Sequence, residues 1–577
     1  MYGRLVKIKN KGREFVYLRL LEKIKENGRW KERVVANLGR QDIKGRETLG
    51  ELLKSLRRFT DEVLVSPEEI ESRRAKDYGA VLVGQKLWQE IGLDRRIREI
   101  CGEPKGISLG EPGVLAMVLN RLTSPKSKLA FYDWMPTVYL PDWQTKKFDL
   151  PDEPDVFADR FYQTMDWLIA GKNKEKIEEH VGSWAQTLFP VEVVFYDISN
   201  IQFEGWQELK QARHGYIRLG RKNHKQILLG LIMVEGLPVA SHIFRGNRAE
   251  KTTLLWVKDK IKKQFNVGRI VFVCDRGMIS EANLKEIESQ QDGYIVAIKR
   301  RRCEEGDPLL EKSLDSFTPI RVPEDGEPDL LAWEAPLYEG KRRIVVYNPI
   351  KAEEEKNKRQ EIIRKLEIDL EDLKAKVQAG KPKKVQAITT AAERILSRWH
   401  AKRYFRYTSN AEGHFEFTPN EESRALEEKL GGKFIVKTTE TNLSTKEAVF
   451  KYKDLMEIEH GFRDLKDFIR VAPVFHRRYR RVKAHVFICV LALLLERYLE
   501  EKLKKAGLEL SAKKAIEKLK TIKVVENRVG NLDLKYVTPP NIELAKILAA
   551  CDIFKLPKIL SDSRLSQKRN GGSKPAK

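Results

Sequence analysis

Two aspartates stand where the sequence could bring carboxylates together. Asp197 ends the apolar run VEVVFY and Asp275 ends the apolar run RIVFVC, so each is predicted to project from the end of a core strand. Clustered carboxylates can hold two divalent ions about 4 Å apart, which activate an attacking oxygen and stabilise a leaving oxygen at a phosphodiester. Each aspartate alone is equally consistent with capping of the turn that follows it. As a pair they favour a metal site.

A third acid is predicted on a helix within the stretch YKDLMEIEHGFRDLK. Positions seven apart drift by only about 20° around a helix, so Tyr452, Glu459 and Lys466 would share one stripe, with Arg463 one turn after the glutamate. Glu459 would then bind metal, while Lys466 and Arg463 would hold a DNA phosphate. The alternative is an ordinary amphipathic helix with ion pairs four residues apart.

The hydrophobic pattern around the two aspartates predicts three strands, a helix, a strand, a helix and a strand. In order, these are VEVVFYDI, QILLGLIMV, PVASHIF, TTLLWVKDKIKKQF, RIVFVCD, SEANLKEIESQ and GYIVAIK. This is the order of a ribonuclease H-like core, an α/β fold with a mixed sheet flanked by helices. Its first and fourth strands are neighbours, which would bring Asp197 and Asp275 together.

The remaining sequence predicts further regions around this core, which itself spans residues 190–299 and 441–510. Residues 1–45 form an N-terminal β-hairpin module that turns at Asn27-Gly28, because apolar and polar residues alternate on either side. Apolar residues at helical spacing predict a helical region over 46–189, and helices over 446–468 and 479–505. Residues 300–440 look like an inserted, mostly β domain with a charged helical arm, and residues 511–577 form a C-terminal region with a disordered basic tail.

Composition indicates a polyanionic partner. The chain has 577 residues and a formal net charge of +25, which favours nucleic acid, although a surplus of charge for solubility is the alternative. Its five cysteines are odd in number and contain no C-x-x-C pair, which argues against disulfide scaffolding and structural zinc and suits a reducing cytoplasm. We expect no signal peptide and no membrane segment, since the most apolar run, residues 484–495, is too short to span a bilayer.

Together these motifs resemble the DDE transposases of bacterial insertion sequences, in the branch whose glutamate signature is Y-x2-R-x3-E-x6-K. Tyr452, Glu459 and Lys466 match the signature, and FYDISNIQFEG and VCDRGMIS resemble its two aspartate motifs. The chain has Leu455 where the family has arginine, so Lys453, Arg463 or Lys451 would have to replace that phosphate contact. The resemblance also implies that residues 300–440 are the β insertion domain carried by this branch.

Several further residues are weaker candidates for DNA contact. Arg276 follows the second aspartate, and Arg245 and Arg248 lie after the third predicted strand; each could hold phosphate, or form a surface ion pair or a solvated loop. Trp333 could stack on a base flipped out of the DNA end, although a core tryptophan is the commoner role. His460 points about 100° away from Glu459, which favours packing over metal ligation.

The resemblance implies a DNA transposase that cuts at the element ends and uses the freed 3′-hydroxyl to attack target DNA. The cofactor would be two Mg²⁺ ions, which Mn²⁺ could replace, and the N-terminal module and helical region would recognise the ends. Joining two ends implies a dimer or higher assembly when DNA is bound. Two alternatives remain: a ribonuclease H-like nuclease without strand transfer, and a catalytically inactive DNA-binding derivative of a transposase. An ATP-driven motor is not expected, since the sequence has no Walker-type glycine-rich loop.

Overall fold

A computed structural model of the chain describes most of the sequence, in two compact units. The described residues are 1–26, 28–40, 70–140, 153–189, 193–203, 209, 211–214, 225–254, 257–258, 261–262, 268–298, 307–321, 330–381, 384–398, 401–410, 414–529 and 532–562. The first unit comprises residues 1–76, 523–539 and 555–577, and the second comprises residues 77–522 and 540–554. The end of the predicted N-terminal module, 41–45, the start of the predicted helical region, 46–69, and the predicted basic tail, 563–577, lie outside the described residues.

The first unit holds two β-sheets. One consists of β1 (Tyr2–Asn10), β2 (Arg13–Glu26) and β3 (Arg29–Arg40), in that order. The predicted hairpin is confirmed by the pairing of β2 with β3, in which Glu26 faces Arg29 across a turn where Gly28 has φ +78°. The strand β1 joins this hairpin along its other edge.

The second sheet of the first unit shows where the helical prediction is wrong. Its strands are β4 (Ile70–Asp77), β16 (Lys523–Val529), β17 (Leu532–Val537) and β18 (Ile559–Asp562). Their order in the sheet is β18-β17-β16-β4. The strand β4 lies inside the predicted helical region, but its sequence IESRRAKD has few apolar residues and no helical stripe. As an edge strand it needs only backbone pairing with β16.

Helices dominate the N-terminal part of the second unit, as predicted. They are α1 (Gly79–Glu90), α2 (Leu93–Cys101), α3 (Gly110–Thr123), α4 (Phe131–Trp134), α5 (Pro154–Leu168) and α6 (Asn173–Leu188). Near the other end of this unit, a long helix spans Tyr479–Lys505 as predicted and buries the apolar run at residues 484–495. Two shorter helices, Ala512–Leu519 and Ile542–Ala550, follow it. None of the described helices is long and apolar enough to cross a membrane.

A nine-stranded mixed sheet forms the centre of the second unit. Five of its strands are β5 (Val193–Gln202), β6 (Gln226–Val234), β7 (Leu237–Arg245), β8 (Val271–Cys274) and β9 (Gly293–Ile298). Their spatial order is β7-β6-β5-β8-β9, with β5, β8 and β9 parallel and β6 and β7 antiparallel. This confirms the ribonuclease H-like order, in which β5 and β8 are neighbours. The helix α7 (Glu281–Ser289) joins β8 to β9 as predicted, whereas half of the predicted helix after β7 lies outside the described residues.

Strands from the predicted insertion extend this same sheet. β10 (Thr318–Arg321), β11 (Leu330–Tyr338), β12 (Lys341–Tyr347) and β15 (Lys433–Thr438) continue it beyond β9 in the order β9-β15-β12-β11-β10. The other elements of the segment are α8 (Asp307–Leu310), α9 (Pro349–Gln378), α10 (Val385–Ser397), α11 (Glu421–Leu430) and the pair β13 (Phe405–Ser409) and β14 (Phe415–Pro419). The helices α9 and α10 pack with β13 and β14 in one apolar cluster. The predicted charged arm is therefore α9.

Candidate functional site

Asp197 lies on β5 at the point where its parallel neighbour ends. The prediction that Asp197 ends its strand is wrong, because β5 continues to Gln202 in antiparallel pairing with β6, in which Asp197 faces Leu231. The parallel pairing with β8 reaches only Phe195, opposite Val273. Among the described residues no strand pairs with β5 on that edge beyond Phe195, and Asp197 borders a cleft there.

Asp275 follows the last residue of β8, as predicted. Its carbonyl accepts a hydrogen bond from the backbone N–H of Met278, at 3.1 Å, which closes the turn leaving the strand. The carboxylate acts electrostatically on Asp197 across the neighbouring strand end. Arg276 begins a short 3-10 helix in this turn. The adjacency of β5 and β8 thus brings the two aspartates near each other.

Glu459 lies on a helix that is shorter than predicted. The sequence predicts one helix over 446–468, but the structure has α12 (Thr445–Lys453) and α13 (Leu455–Asp467), separated by a turn at Asp454. The predicted stripe is therefore wrong in one respect: Tyr452 lies on α12 while Glu459 and Lys466 lie on α13. The ring of Tyr452 packs against Phe434 of β15, with centroids 6.0 Å apart.

The buried side of α13 explains the departure from the family signature. Leu455, Ile458 and Leu465 are buried, while Glu459 and Arg463 are exposed. Leu455 is only 7% exposed, so the position occupied by arginine in the signature faces the interior of this chain. Lys453 lies 5.7 Å from the ring of Phe450. Lys451 forms an ion pair of 3.6 Å with Glu235.

An open cleft of about 610 Å³ joins β5 to α13. Its lining residues are Asp197, Ile198, Ser199, Asn200, Gln202, Glu250, Glu459, Phe462, Arg463, Lys466, Asp467 and Ala472. Four of the residues predicted from the sequence therefore share one cleft. Glu250, which the sequence analysis missed, is a fourth acid, since it acts on Asp197 together with Asp275 and Glu459; Asp467 also lines the cleft. Glu250 could have been suspected because it lies in the connection that leaves the third core strand.

The electrostatics of the cleft centre on Asp197. The pKa of the Asp197 carboxyl is raised to about 7, chiefly by burial and further by the carboxylates of Asp275, Glu459 and Glu250, against a lowering by the hydrogen bond from the Ile198 backbone N–H. Lys466 donates a hydrogen bond to the Ser199 hydroxyl, two residues further along β5. Burial lowers the pKa of the Lys466 amine, while the charges of Asp467 and Asp197 oppose that shift.

These carboxylates fit a divalent metal ion by their chemistry, although their side chains are not closed around one. Among the described residues, no three aspartate, glutamate, histidine or cysteine side chains lie close enough together to form a ligand set. The fit lies in the donors: hard carboxylate oxygens repel one another at Asp197, and a divalent cation would neutralise that repulsion. Asp197, Asp275, Glu459 and Glu250 are the residues available to hold it.

The arginines predicted after the third strand border a different cleft. Arg245 and Arg248 are exposed and line a space of about 560 Å³ together with Gln211 and Asn247. The guanidinium of Arg248 donates from Nε to the Thr252 hydroxyl at 3.1 Å and lies 5.2 Å from the centroid of the Phe244 ring. The structure therefore does not bring these two arginines into the cleft that contains Asp197.

Two further predicted candidates also lie outside the cleft lined by Asp197, Glu250 and Glu459, which we call the acidic cleft. Trp333 of β11 is half-buried, packs against Phe317 with ring centroids 6.5 Å apart, and has the Lys312 ammonium 5.3 Å from its ring. His460 is half-buried and borders a separate polar cleft with Arg497, so it faces away from the site of Glu459. Neither residue is among those that line the cleft with Asp197 and Glu459.

Comparison with known proteins places the chain in a family. Residues 192–495 match the family model described as "Transposase DDE domain", and residues 4–69 match that of the "IS1634 family transposase, N-terminal domain". No curated protein matches the chain in sequence. A solved structure, the piggyBac transposase synaptic complex with hairpin DNA, has a TM-score of 0.35 and 10% identity over 78% of this chain and 82% of that one.

The first of these matches covers more than half of the chain and includes every element that borders the acidic cleft. Transposase DDE domains generally use divalent metal ions, and transposases act on DNA. The chain therefore belongs to the DDE transposases of insertion sequences and is a DNA transposase.

Proposed function

We propose that Asp197, Asp275 and Glu459 are the catalytic acids of this transposase and hold two Mg²⁺ ions, which Mn²⁺ can replace. The enzyme cuts DNA at the ends of its element and joins the freed 3′-hydroxyl to target DNA. The observation that carries this proposal is the gathering of like charges at Asp197, whose pKa is raised to about 7 in a cleft that opens to solvent. Like charges without a counter-ion destabilise a fold, so their retention favours function.

Basic residues beside the acids are suited to hold the DNA backbone. Lys466 is fixed by its hydrogen bond to Ser199, and Arg463 is exposed on the same cleft one turn of α13 after Glu459. Both would bind phosphate oxygens and keep the scissile phosphodiester beside Asp197. The ions, when bound, would supply activation of the attacking oxygen and stabilisation of the leaving oxygen. No covalent link between enzyme and DNA is required.

Tyr452, Lys453, Arg245, Arg248 and Arg276 remain proposed DNA contacts outside the acidic cleft. Arg245 and Arg248 are exposed, which suits binding of DNA beside the phosphodiester that reacts. The N-terminal module and the helical region would recognise the element ends. Because two ends must be joined, we propose a dimer or higher assembly on DNA.

Cleavage of supercoiled plasmid carrying the segment that flanks the coding region tests the assignment. Asp197→Ala and Glu459→Ala should abolish cleavage in Mg²⁺ while leaving DNA binding largely intact, because the carboxylates contribute no attraction for phosphate. Glu371→Ala, an exposed acid of α9, is the matched control. Retained cleavage in either of the first two variants would contradict the proposal.

The alternative function is a nuclease that hydrolyses DNA and does not join it. The same acids would serve both enzymes, so mutation of the site cannot separate them. A strand-transfer assay with a labelled oligonucleotide ending in a 3′-hydroxyl does separate them, because only a transposase produces a joined product. Cleavage without joining would establish the alternative.

A further inference from the structure

The loop at residues 470–478, between α13 and the helix Tyr479–Lys505, borders the acidic cleft. Ala472 of this loop lines the cleft together with Gln202 at the end of β5. The backbone N–H of Val474 donates to the Gln202 carbonyl at 3.4 Å, and Val474 forms a parallel bridge with Phe203. The loop is therefore attached to the strand that carries Asp197.

Buried groups hold the backbone of this loop in place. Arg121 of α3 is buried and donates from Nη1 to the Arg470 carbonyl at 3.1 Å. The Val471 carbonyl is hydrogen-bonded to Nε2 of the buried His485, at 2.9 Å. The ring of His476 packs between His485 and Tyr162, with centroids 5.2 and 6.0 Å away. The 470–478 loop is thus held near both of its ends by contacts with Arg121, His485 and Tyr162.

From this fixed backbone one aromatic ring projects into solvent among cations. Phe475 is 67% exposed although its neighbour Val474 is buried. Arg470, Arg477 and Arg478 are also exposed, and within the described part of the chain none of their guanidinium groups forms an ion pair. An exposed ring on a rigid backbone, flanked by cations without acidic partners, is the combination that single-stranded nucleic acid binds.

We propose that the 470–478 loop binds a single-stranded segment of the DNA end, with Phe475 stacked on an unpaired base and Arg477 and Arg478 on the flanking phosphates. This inference rests on the proposed function, since it places the DNA in the neighbouring cleft. Charge complementarity and continuity with Arg463 and Lys466 identify DNA as the occupant. Phe475 also offers a base a more open ring than Trp333, which is half-buried against Phe317.

The test uses a short duplex with a single-stranded 3′ overhang that carries 2-aminopurine as its first unpaired base, in buffer without divalent ions. Binding to the unmodified protein should quench 2-aminopurine fluorescence through stacking. Phe475→Ala should lose the quenching and bind about 5- to 150-fold more weakly, the range of one stacked base. Phe475→Trp should retain both. The control is Phe554→Ala, which removes another exposed ring, 81% exposed.

Salt dependence separates the arginines from the ring. Arg477→Ala and Arg478→Ala should each lower the slope of log affinity against log salt by about 0.7 to 0.9, because each removes one phosphate contact. Phe475→Ala should leave that slope unchanged. Arg364→Ala, an exposed arginine of α9, serves as the control and should change neither quantity.

Equal quenching and equal affinity in Phe475→Ala and the unmodified protein would overturn the proposal. So would unchanged DNA binding accompanied by a change in sedimentation, which would identify the loop as a contact between copies of the chain. Because the assay contains no divalent ion, its outcome is independent of catalysis. Cleavage that survives in Asp197→Ala would instead overturn the proposed function and leave the binding result standing.

Discussion

Asp197 on β5 and Arg342 on β12 are charged residues of the same nine-stranded sheet, but their surroundings are opposite. Arg342 donates to both carboxylate oxygens of Glu334, at 2.7 and 2.9 Å, and to the carbonyl of Glu440 at 2.8 Å. The pairing raises the pKa of Arg342 and lowers the pKa of Glu334. Asp197 instead is desolvated and has acids around it, and both burial and these acids raise its pKa.

The difference shows that the charged groups around Arg342 stabilise this sheet, whereas those around Asp197 destabilise it. In the insertion segment each group of the Arg342–Glu334 pair satisfies the other, so desolvation is offset by two charge-assisted hydrogen bonds. At the ribonuclease H-like core, like charges are held together without such compensation, which is typical of sites that bind an ion or a transition state. Neutral substitutions of Asp197 and of Arg342 should therefore have opposite effects on the free energy of unfolding.

The largest effect is expected for Asp197→Asn, which keeps the shape of the side chain and removes its charge. Cleavage in Mg²⁺ should fall on the order of 10⁴-fold, the scale at which loss of a central catalytic group is felt. The free energy of unfolding without metal should stay equal or rise, because repulsion from Asp275, Glu459 and Glu250 is relieved. Plasmid cleavage and urea unfolding measure the two quantities. A variant that is inactive and clearly less stable would contradict the comparison.

Lys128 extends the comparison to a buried cation that forms no ion pair with any acid in the described part of the chain. It is 3% exposed, its ammonium lies 5.0 Å from the Phe131 ring, and burial lowers its pKa to about 7, helped by Arg121. His476 and Cys489 also act electrostatically with it. Between pH 7 and the ordinary pKa of lysine, the unfolded chain binds a proton that the folded chain does not. Stability should therefore rise with pH over that range.

Lys128→Met should remove this rise and increase the free energy of unfolding at pH 6 on the order of 3 kcal/mol. Urea unfolding at pH 6, 7.5 and 9 provides the measurement. The exposed Lys126→Met is the matched control, in which both the stability and its pH dependence should match those of the unmodified protein. A loss of stability in Lys128→Met would mean that the ammonium has a stabilising role.

The sequence was sufficient for the order of the core strands but not for the limits of the site elements. Buried parallel strands appear as continuous apolar runs, so β5, β8 and β9 were predicted together with the adjacency of Asp197 and Asp275. The extension of β5 past Asp197 depends on β6, a pairing that no local pattern reveals. The break at Asp454 has no proline or glycine to mark it.

Long-range pairing and burial account for the other differences. β15 joins β9 across more than 130 residues, so local periodicity gave no sign that the insertion would continue the central sheet. Glu250 reaches the cleft through the connection after β7, and its role depends on which elements fold beside it. Leu455 shows the reverse case, in which a departure from a family signature is explained by burial.

Arg342→Met tests the stabilising half of the comparison. It should lower the free energy of unfolding by about 2–3 kcal/mol, because Glu334 and the Glu440 carbonyl lose a charged donor. This loss is smaller than that for a fully buried pair, since Glu334 is partly exposed to solvent. Lys376→Met breaks an exposed pair with Asp372 on α9 and should cost no more than about 0.5 kcal/mol. Equal decreases in the free energy of unfolding for Arg342→Met and Lys376→Met would show that the Arg342–Glu334 pair stabilises the fold no more than an exposed pair does.

Glu250→Gln should give the smallest effect and decide the role of the fourth acid. If Glu250 supports the ions without being indispensable, the Mg²⁺ concentration for half-maximal cleavage should rise about 10-fold, while cleavage at saturating Mg²⁺ is largely kept. Titration of plasmid cleavage with Mg²⁺ measures this, and Glu235→Gln, an acid of a separate cleft paired with Lys451, is the control. An unchanged Mg²⁺ requirement would restrict Glu250 to raising the pKa of Asp197. Complete loss of cleavage would place it among the essential acids, so the catalytic set would be larger than the family signature implies.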